Sequence, residues 1–123
     1  MKSIGTDIVE LERIKRSHAR FGEQFLAQIL STREQELIKN TKGFINFLAG
    51  RFAAKEAIYK ALGTEIGFGV AWKEMEVLRE ASGKPYVELS GKAKARAEEL
   101  GIHQIHISIS HCKSYAIAFV CFE

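Results

Sequence analysis

Glu56 and Lys60 form the first pair in this chain that points to chemistry. They stand four apart in the run Arg51-Phe52-Ala53-Ala54-Lys55-Glu56-Ala57-Ile58-Tyr59-Lys60, so a helix projects both from one face, one turn apart. Spacing alone is also that of an ordinary surface ion pair, worth roughly a few tenths of a kcal/mol. Asp7 is a second candidate. It lies on the polar side of an otherwise apolar N-terminal strand, near the handover to a helix, where a carboxylate can equally cap that helix. Arg13, Arg16 and Arg20, spaced by three and four, line one helix face, a pattern shared with solvated faces. Of the four histidines, His111 follows the run Ser108-Ile109-Ser110; His18 reads as packed, His103 and His106 as solvated. Gly63, Gly67 and Gly69 follow a helix rather than opening one, and no G-x-x-x-x-G-K-[ST] occurs, which argues against a nucleotide-hydrolase phosphate loop.

These side chains need elements to hold them. Residues 3–9 read as a strand, with Ile4, Thr6 and Ile8 alternating with Gly5, Asp7 and Val9. From residue 11 the period becomes helical: Leu11, Ile14, His18, Phe21 and Phe25 share an arc of about 80°, with Gly22 as an interruption. Ser31 with Glu34 forms a capping box for a helix to about residue 39. The longest helix covers residues 44–62 and stops at Gly63. Within it, Ala53, Ala57 and Ala61 make a thin strip where a neighbour can approach closely. Strands over 71–79 and 86–89 form a hairpin through Ser82-Gly83-Lys84-Pro85, a helix capped by Ser90 runs to Gly101, and strands follow at 105–110 and 115–122. The expectation is a single α+β domain over residues 1–123, with helices packed on a mainly antiparallel sheet.

Two separated runs carry a resemblance. Gly5-Thr6-Asp7-Ile8-Val9-Glu10-Leu11-Glu12-Arg13-Ile14 and Phe52-Ala53-Ala54-Lys55-Glu56-Ala57-Ile58-Tyr59-Lys60-Ala61-Leu62-Gly63-Thr64 resemble the signature motifs of the holo-acyl-carrier-protein synthase family of phosphopantetheinyl transferases. The likeness extends through Gly83-Lys84-Pro85-Tyr86 and Ser108-Ile109-Ser110-His111. Glu65 and Glu74 depart from the Gly and Asp common at those positions. The resemblance implies transfer of 4'-phosphopantetheine from coenzyme A to a serine of apo acyl carrier protein, in support of fatty acid biosynthesis. It implies that Asp7 and Glu56 hold Mg2+, that Lys60 contacts the pyrophosphate, and that His111 lies near the coenzyme A phosphates with Gly63 bordering the site. Two carboxylates without Cys or His suit magnesium. It further implies that Arg13, Arg16 and Arg20 face an acidic carrier protein, and that the chain forms a homotrimer with sites at subunit interfaces. Glu56 and a magnesium-bound water are both candidates to take the serine proton.

Bulk properties bound these readings. A net charge of +3 suits an acidic partner but falls short of a nucleic-acid footprint. No apolar run approaches the roughly 20 residues of a membrane-spanning helix, and with no leader pattern a cytoplasmic location is expected. Cys112 and Cys121 have no metal-site spacing and read as free thiols. A non-enzymatic adaptor, whose basic helix binds an acidic protein, is the competing reading, and a magnesium-dependent phosphohydrolase is a third.

Overall fold

The computed structural model describes residues 2–39, 42–63 and 69–123. Strand β1 (Ser3–Glu10) leads directly into helices α1 (Leu11–Phe21), α2 (Glu23–Ile29) and α3 (Thr32–Ile38). The long helix α4 (Phe44–Leu62) follows. A 3-10 turn (Trp72–Glu74), strands β2 (Met75–Arg79) and β3 (Pro85–Leu89), helix α5 (Gly91–Glu99), and strands β4 (Ile105–His111) and β5 (Tyr115–Phe122) complete it. The fold is α+β, as expected, but its strands make two antiparallel sheets: β1-β5-β4 and β2-β3.

Helix α4 has the bounds its sequence predicts, because Gly43 and Gly63 both take the left-handed conformation (φ 73° and 65°) at its ends. Its alanine strip is the close-packing face. A Cβ on Gly5 would stand 2.0 Å from the Ala57 carbonyl oxygen and 3.1 Å from the Ala61 nitrogen, so β1 lies against α4 with no side chain between them. Ser3 Oγ donates to the Ala61 carbonyl at 2.7 Å and ties the same two elements.

This packing reverses the expected polarity of β1. Asp7 does lie opposite Ile4 and Ile8, but its face, shared with buried Val9, is the one turned to α4. Ile4 and Ile8 are 51% and 61% exposed. Neighbouring β5 repeats the arrangement: Tyr115, Ile117 and Phe119 are exposed, while Ala116, Ala118 and Val120 are buried. Among the described residues, helices cover one face of the three-stranded sheet only.

Other local expectations meet mixed outcomes. Gly22 (φ 54°) separates α1 from α2, and the turn leaves Phe21 half exposed rather than packed with Ile14 and His18. The Ser31–Glu34 capping box forms. Residues 71–74, expected as strand, instead turn, because the Glu74 carboxylate accepts from Ala71 N–H at 3.2 Å and from Lys92 N–H at 3.3 Å. Glu74 thereby serves the start of α5, where Ser90 makes no side-chain cap. Both cysteines are free. Glu65 and Gly67 lie outside the described residues.

Candidate active site

Asp7, Glu56 and Lys60 meet where β1 crosses the C-terminal half of α4. Lys60 Nζ donates to Asp7 Oδ1 at 3.0 Å and to the Thr6 carbonyl at 3.0 Å. The Asp7 side chain is mostly covered, whereas that of Lys60 is more than half exposed. Burial pushes the Glu56 carboxyl above the usual carboxylate range, and the negative charge of Asp7 adds to the rise. Lys60 and Arg13 oppose it. Two carboxylates therefore share a partly dry corner with cations at its rim. Lys60 stands in the last turn of α4, where a cation also suits the negative helix end.

Gly63 ends that helix and donates its N–H to the Lys60 carbonyl at 3.1 Å. Arg96 Nε of α5 donates to the Leu62 carbonyl at 2.9 Å, so the end of α4 is tied to α5. Arg13 reaches back from α1, its guanidinium 5.7 Å from the Phe52 ring centre. Arg13, Arg16, Ser17, Arg20 and Phe21 line an open basic hollow of about 400 Å³, and the Arg20 guanidinium lies 5.2 Å from the Phe21 ring centre.

His111 is not with this cluster. It lines a cleft of about 310 Å³ with Gly43, Asn46, Gly50, Arg51, Arg79 and Pro85. Arg51 precedes Lys60 by nine residues, about 180° around the helix at 100° per residue, and so leaves α4 on the opposite side. The Arg51 guanidinium is 4.1 Å from the Phe47 ring centre, and Nε donates to the Val77 carbonyl at 3.3 Å. Its Nη2 is buried without a hydrogen-bond partner among the described residues. Burial pushes Arg51 down to about 10, and Arg79 adds to the fall. Sequence reasoning passed over Arg51 and Arg79 as site residues. A lone guanidinium in the apolar run Leu48-Ala49-Gly50-Arg51-Phe52 was the available signal.

Among the described residues, no cluster of three or more His, Cys, Asp or Glu could hold a metal ion. Asp7 and Glu56 offer two carboxylates, enough for magnesium, which commonly takes its remaining ligands from water and phosphate. A divalent cation between the two groups would offset both the burial and the Asp7 charge that raise Glu56, so the donor set fits.

A family model described as the 4'-phosphopantetheinyl transferase superfamily matches residues 3–120. The holo-[acyl-carrier-protein] synthase of Ruminiclostridium cellulolyticum is 46% identical over 117 residues, covering 94% of this chain and 87% of that protein. Among solved structures, the holo-[acyl-carrier-protein] synthase from Neisseria meningitidis superposes with a TM-score of 0.90 at 38% identity, covering 100% of this chain and 98% of that one. The Helicobacter pylori holo-[acyl-carrier-protein] synthase in complex with coenzyme A gives 0.84 at 34% identity, with 98% and 99% covered.

Proposed function

The chain belongs to the 4'-phosphopantetheinyl transferase superfamily, and from this membership we infer the activity of its relatives: it transfers 4'-phosphopantetheine from coenzyme A to a serine of apo acyl carrier protein. The products are the holo carrier and adenosine 3',5'-bisphosphate. The observation that carries this reading at residue level is the meeting of Asp7, Glu56 and Lys60 across 53 residues of sequence. Nothing in the fold favours the adaptor.

In the reaction the serine oxygen bonds to the β-phosphorus of coenzyme A, and the bond from that phosphorus to the bridging pyrophosphate oxygen breaks. Such a transfer needs positioning and charge neutralisation more than covalent help. Asp7 and Glu56 would hold Mg2+, which when bound draws charge from the pyrophosphate. Lys60, half exposed at the rim, is placed to offset negative charge on the leaving group. Asp7 Oδ1 already accepts from Lys60, which leaves Glu56 as the freer acceptor for the serine proton. The arginine hollow of α1 adjoins the cluster through Arg13, and is where an acidic carrier would dock its serine.

His111 with Arg51 and Arg79 would bind the phosphates at the nucleotide end of coenzyme A, Gly63 bordering the pyrophosphate. Because these cations lie across α4 from Lys60, one ligand reaches both sets when two copies of the chain meet. The uncovered sheet face, with Ile4, Ile8, Ile117 and Phe119 exposed, supplies a surface for that association, and a homotrimer with sites between subunits is the proposed assembly. Among the described residues, no helix is long and apolar enough to cross a membrane. A cytoplasmic enzyme serving fatty acid biosynthesis is the proposed setting.

The test is intact-mass measurement of an apo carrier incubated with coenzyme A, Mg2+ and this protein. A gain of one phosphopantetheine is expected, lost on chelation and in Glu56→Ala. Absence of the gain in the complete mixture refutes the activity, and its full persistence in Glu56→Ala refutes the site. Turnover without carrier would instead indicate a phosphohydrolase. For the assembly, Phe119→Glu should convert a trimeric elution mass to that of a monomer.

A further inference from the structure

Lys55, the residue before Glu56, is completely buried, and so is its partner Glu34. The ammonium donates to three acceptors: Glu34 Oε1 at 2.5 Å, the Ile29 carbonyl at 2.6 Å and the Trp72 carbonyl at 3.0 Å. Glu34 in turn accepts from Ser31 N–H at 3.0 Å and from Val77 N–H at 2.8 Å. One point on α4 is thus bonded to the end of α2, the start of α3, the 3-10 turn and β2. Stability alone is a weak reason for such a pair, since apolar groups of similar volume often hold a fold as well. What apolar packing lacks is direction: it lets a helix slide or turn slightly, whereas five converging hydrogen bonds specify one rotation and one height.

The next two residues show what that specification serves. Glu56 is the site carboxylate, and Ala57 presents the carbonyl that abuts Gly5. Consecutive residues leave a helix about 100° apart, so α4 is pinned on one side through Lys55 and pressed on another by β1, with Glu56 between. Asp7 belongs to β1, two residues beyond Gly5 on the same strand face. Any rotation of α4 about its axis changes the gap between the two carboxylates.

We propose that the Lys55–Glu34 pair is a positioning device for the reaction: it holds α4 at the rotation that brings Glu56 to Asp7. The proposal rests on the reading of Asp7 and Glu56 as the cation site. Lys55 touches no reacting atom; it acts through its neighbour.

The test is the double variant Lys55→Met with Glu34→Gln, which removes both charges and leaves neither unpaired in the core. Three readouts are needed: near-ultraviolet circular dichroism for the fold, Mn2+ binding to the protein alone by electron paramagnetic resonance, and kcat with KM for the carrier. Mn2+ affinity should fall roughly tenfold and kcat roughly a hundredfold, since a misplacement near 1 Å can cost that much. KM for the carrier should stay within twofold, because the arginine hollow belongs to α1. Phe122→Leu, also in the buried core but at the far end of β5, is the control that lowers stability away from the pair. If the double variant keeps wild-type Mn2+ affinity and kcat, or loses no more than Phe122→Leu does, the pair is only a stability element and the proposal fails. If the double variant unfolds, a stabilising osmolyte restores the compact state and the same titration is read there. Wild-type protein in which Mn2+ binding does not depend on Asp7, judged with Asp7→Asn, would refute the site reading itself and the proposal with it. Asp7-dependent binding that survives the double variant refutes the proposal alone.

Discussion

Replacing Gly5 by alanine should damage the site by a route that can be followed in ångströms. The added Cβ would stand 2.0 Å from the Ala57 carbonyl oxygen, where contacts under 3.0 Å are essentially never seen. The other close atoms, Ala57 C and Ala61 N at 3.0 and 3.1 Å, are also backbone, so no side chain can swing aside. At least the difference, 3.0 − 2.0 = 1.0 Å, must open between β1 and α4. Strand β1 is paired to β5 along its length and α4 is held by the Lys55 bonds, so the separation falls on the segment carrying Asp7. Overpacking of this kind costs about 1–3 kcal/mol, a fall in Tm of roughly 4–15 °C for a chain of this size. A 1 Å displacement of Asp7 from Glu56 should lower transfer about a hundredfold. Carrier mass-shift rates, measured well below the variant's Tm, separate the two effects. A variant with wild-type Tm and rate refutes the close-approach argument; one that loses Tm but transfers normally refutes the link from this contact to the site.

Other outcomes follow from the same cluster. Glu56→Gln should abolish most transfer yet raise Tm slightly near neutral pH in metal-free buffer. A carboxyl whose pKa is raised on folding opposes folding once it ionises, so the gain should shrink as pH falls from the raised value toward the ordinary carboxylate value, and vanish below that. A Tm difference independent of pH would refute this. For Lys60→Gln, kcat should drop roughly a hundredfold, while Mn2+ binding in the absence of coenzyme A tightens about two- to fivefold, because a half-exposed ion pair to Asp7 is worth up to about 1 kcal/mol. Weaker Mn2+ binding would contradict the competition. Arg16→Glu with Arg20→Glu should raise KM for an acidic carrier roughly tenfold and flatten its salt dependence, with kcat nearly unchanged; an effect confined to kcat would count against docking there.

Much of the scaffold was legible in the sequence because its signals are local. Gly43 and Gly63 bound α4, Ser31 and Glu34 cap α3, and alternation marks β1 and β4. Alternation separates two faces of a strand but does not say which one meets a helix, and the face of Asp7, polar by pattern, proves to be the packed one. Residues 71–74 carry a strand-like pattern that loses to the Glu74 carboxylate, whose partners include Lys92 of a distant element. For the site, helical spacing showed only that Glu56 and Lys60 share a face. That Lys60 bonds to Asp7 depends on Gly5 and the alanine strip, and the spacing on α4 does not encode it. Arg51 stands alone in an apolar run, a sign of burial that does not by itself mark a binding residue.

The pairing of β1 with β5 also carries a kinetic consequence. Asp7 sits on a strand whose only sheet neighbour among the described residues is β5, with Thr6 bonded to a carbonyl 112 positions later. Such a long-range closure forms late, after helices and the nearby β2–β3 hairpin have assembled. During synthesis, a carboxylate proposed to hold Mg2+ therefore waits for nearly the whole chain. Refolding should accordingly restore fluorescence of Trp72, packed beside Phe52 at 5.1 Å, before it restores Mn2+ binding. Simultaneous recovery would show instead that β1 docks on α4 before its strand partner arrives.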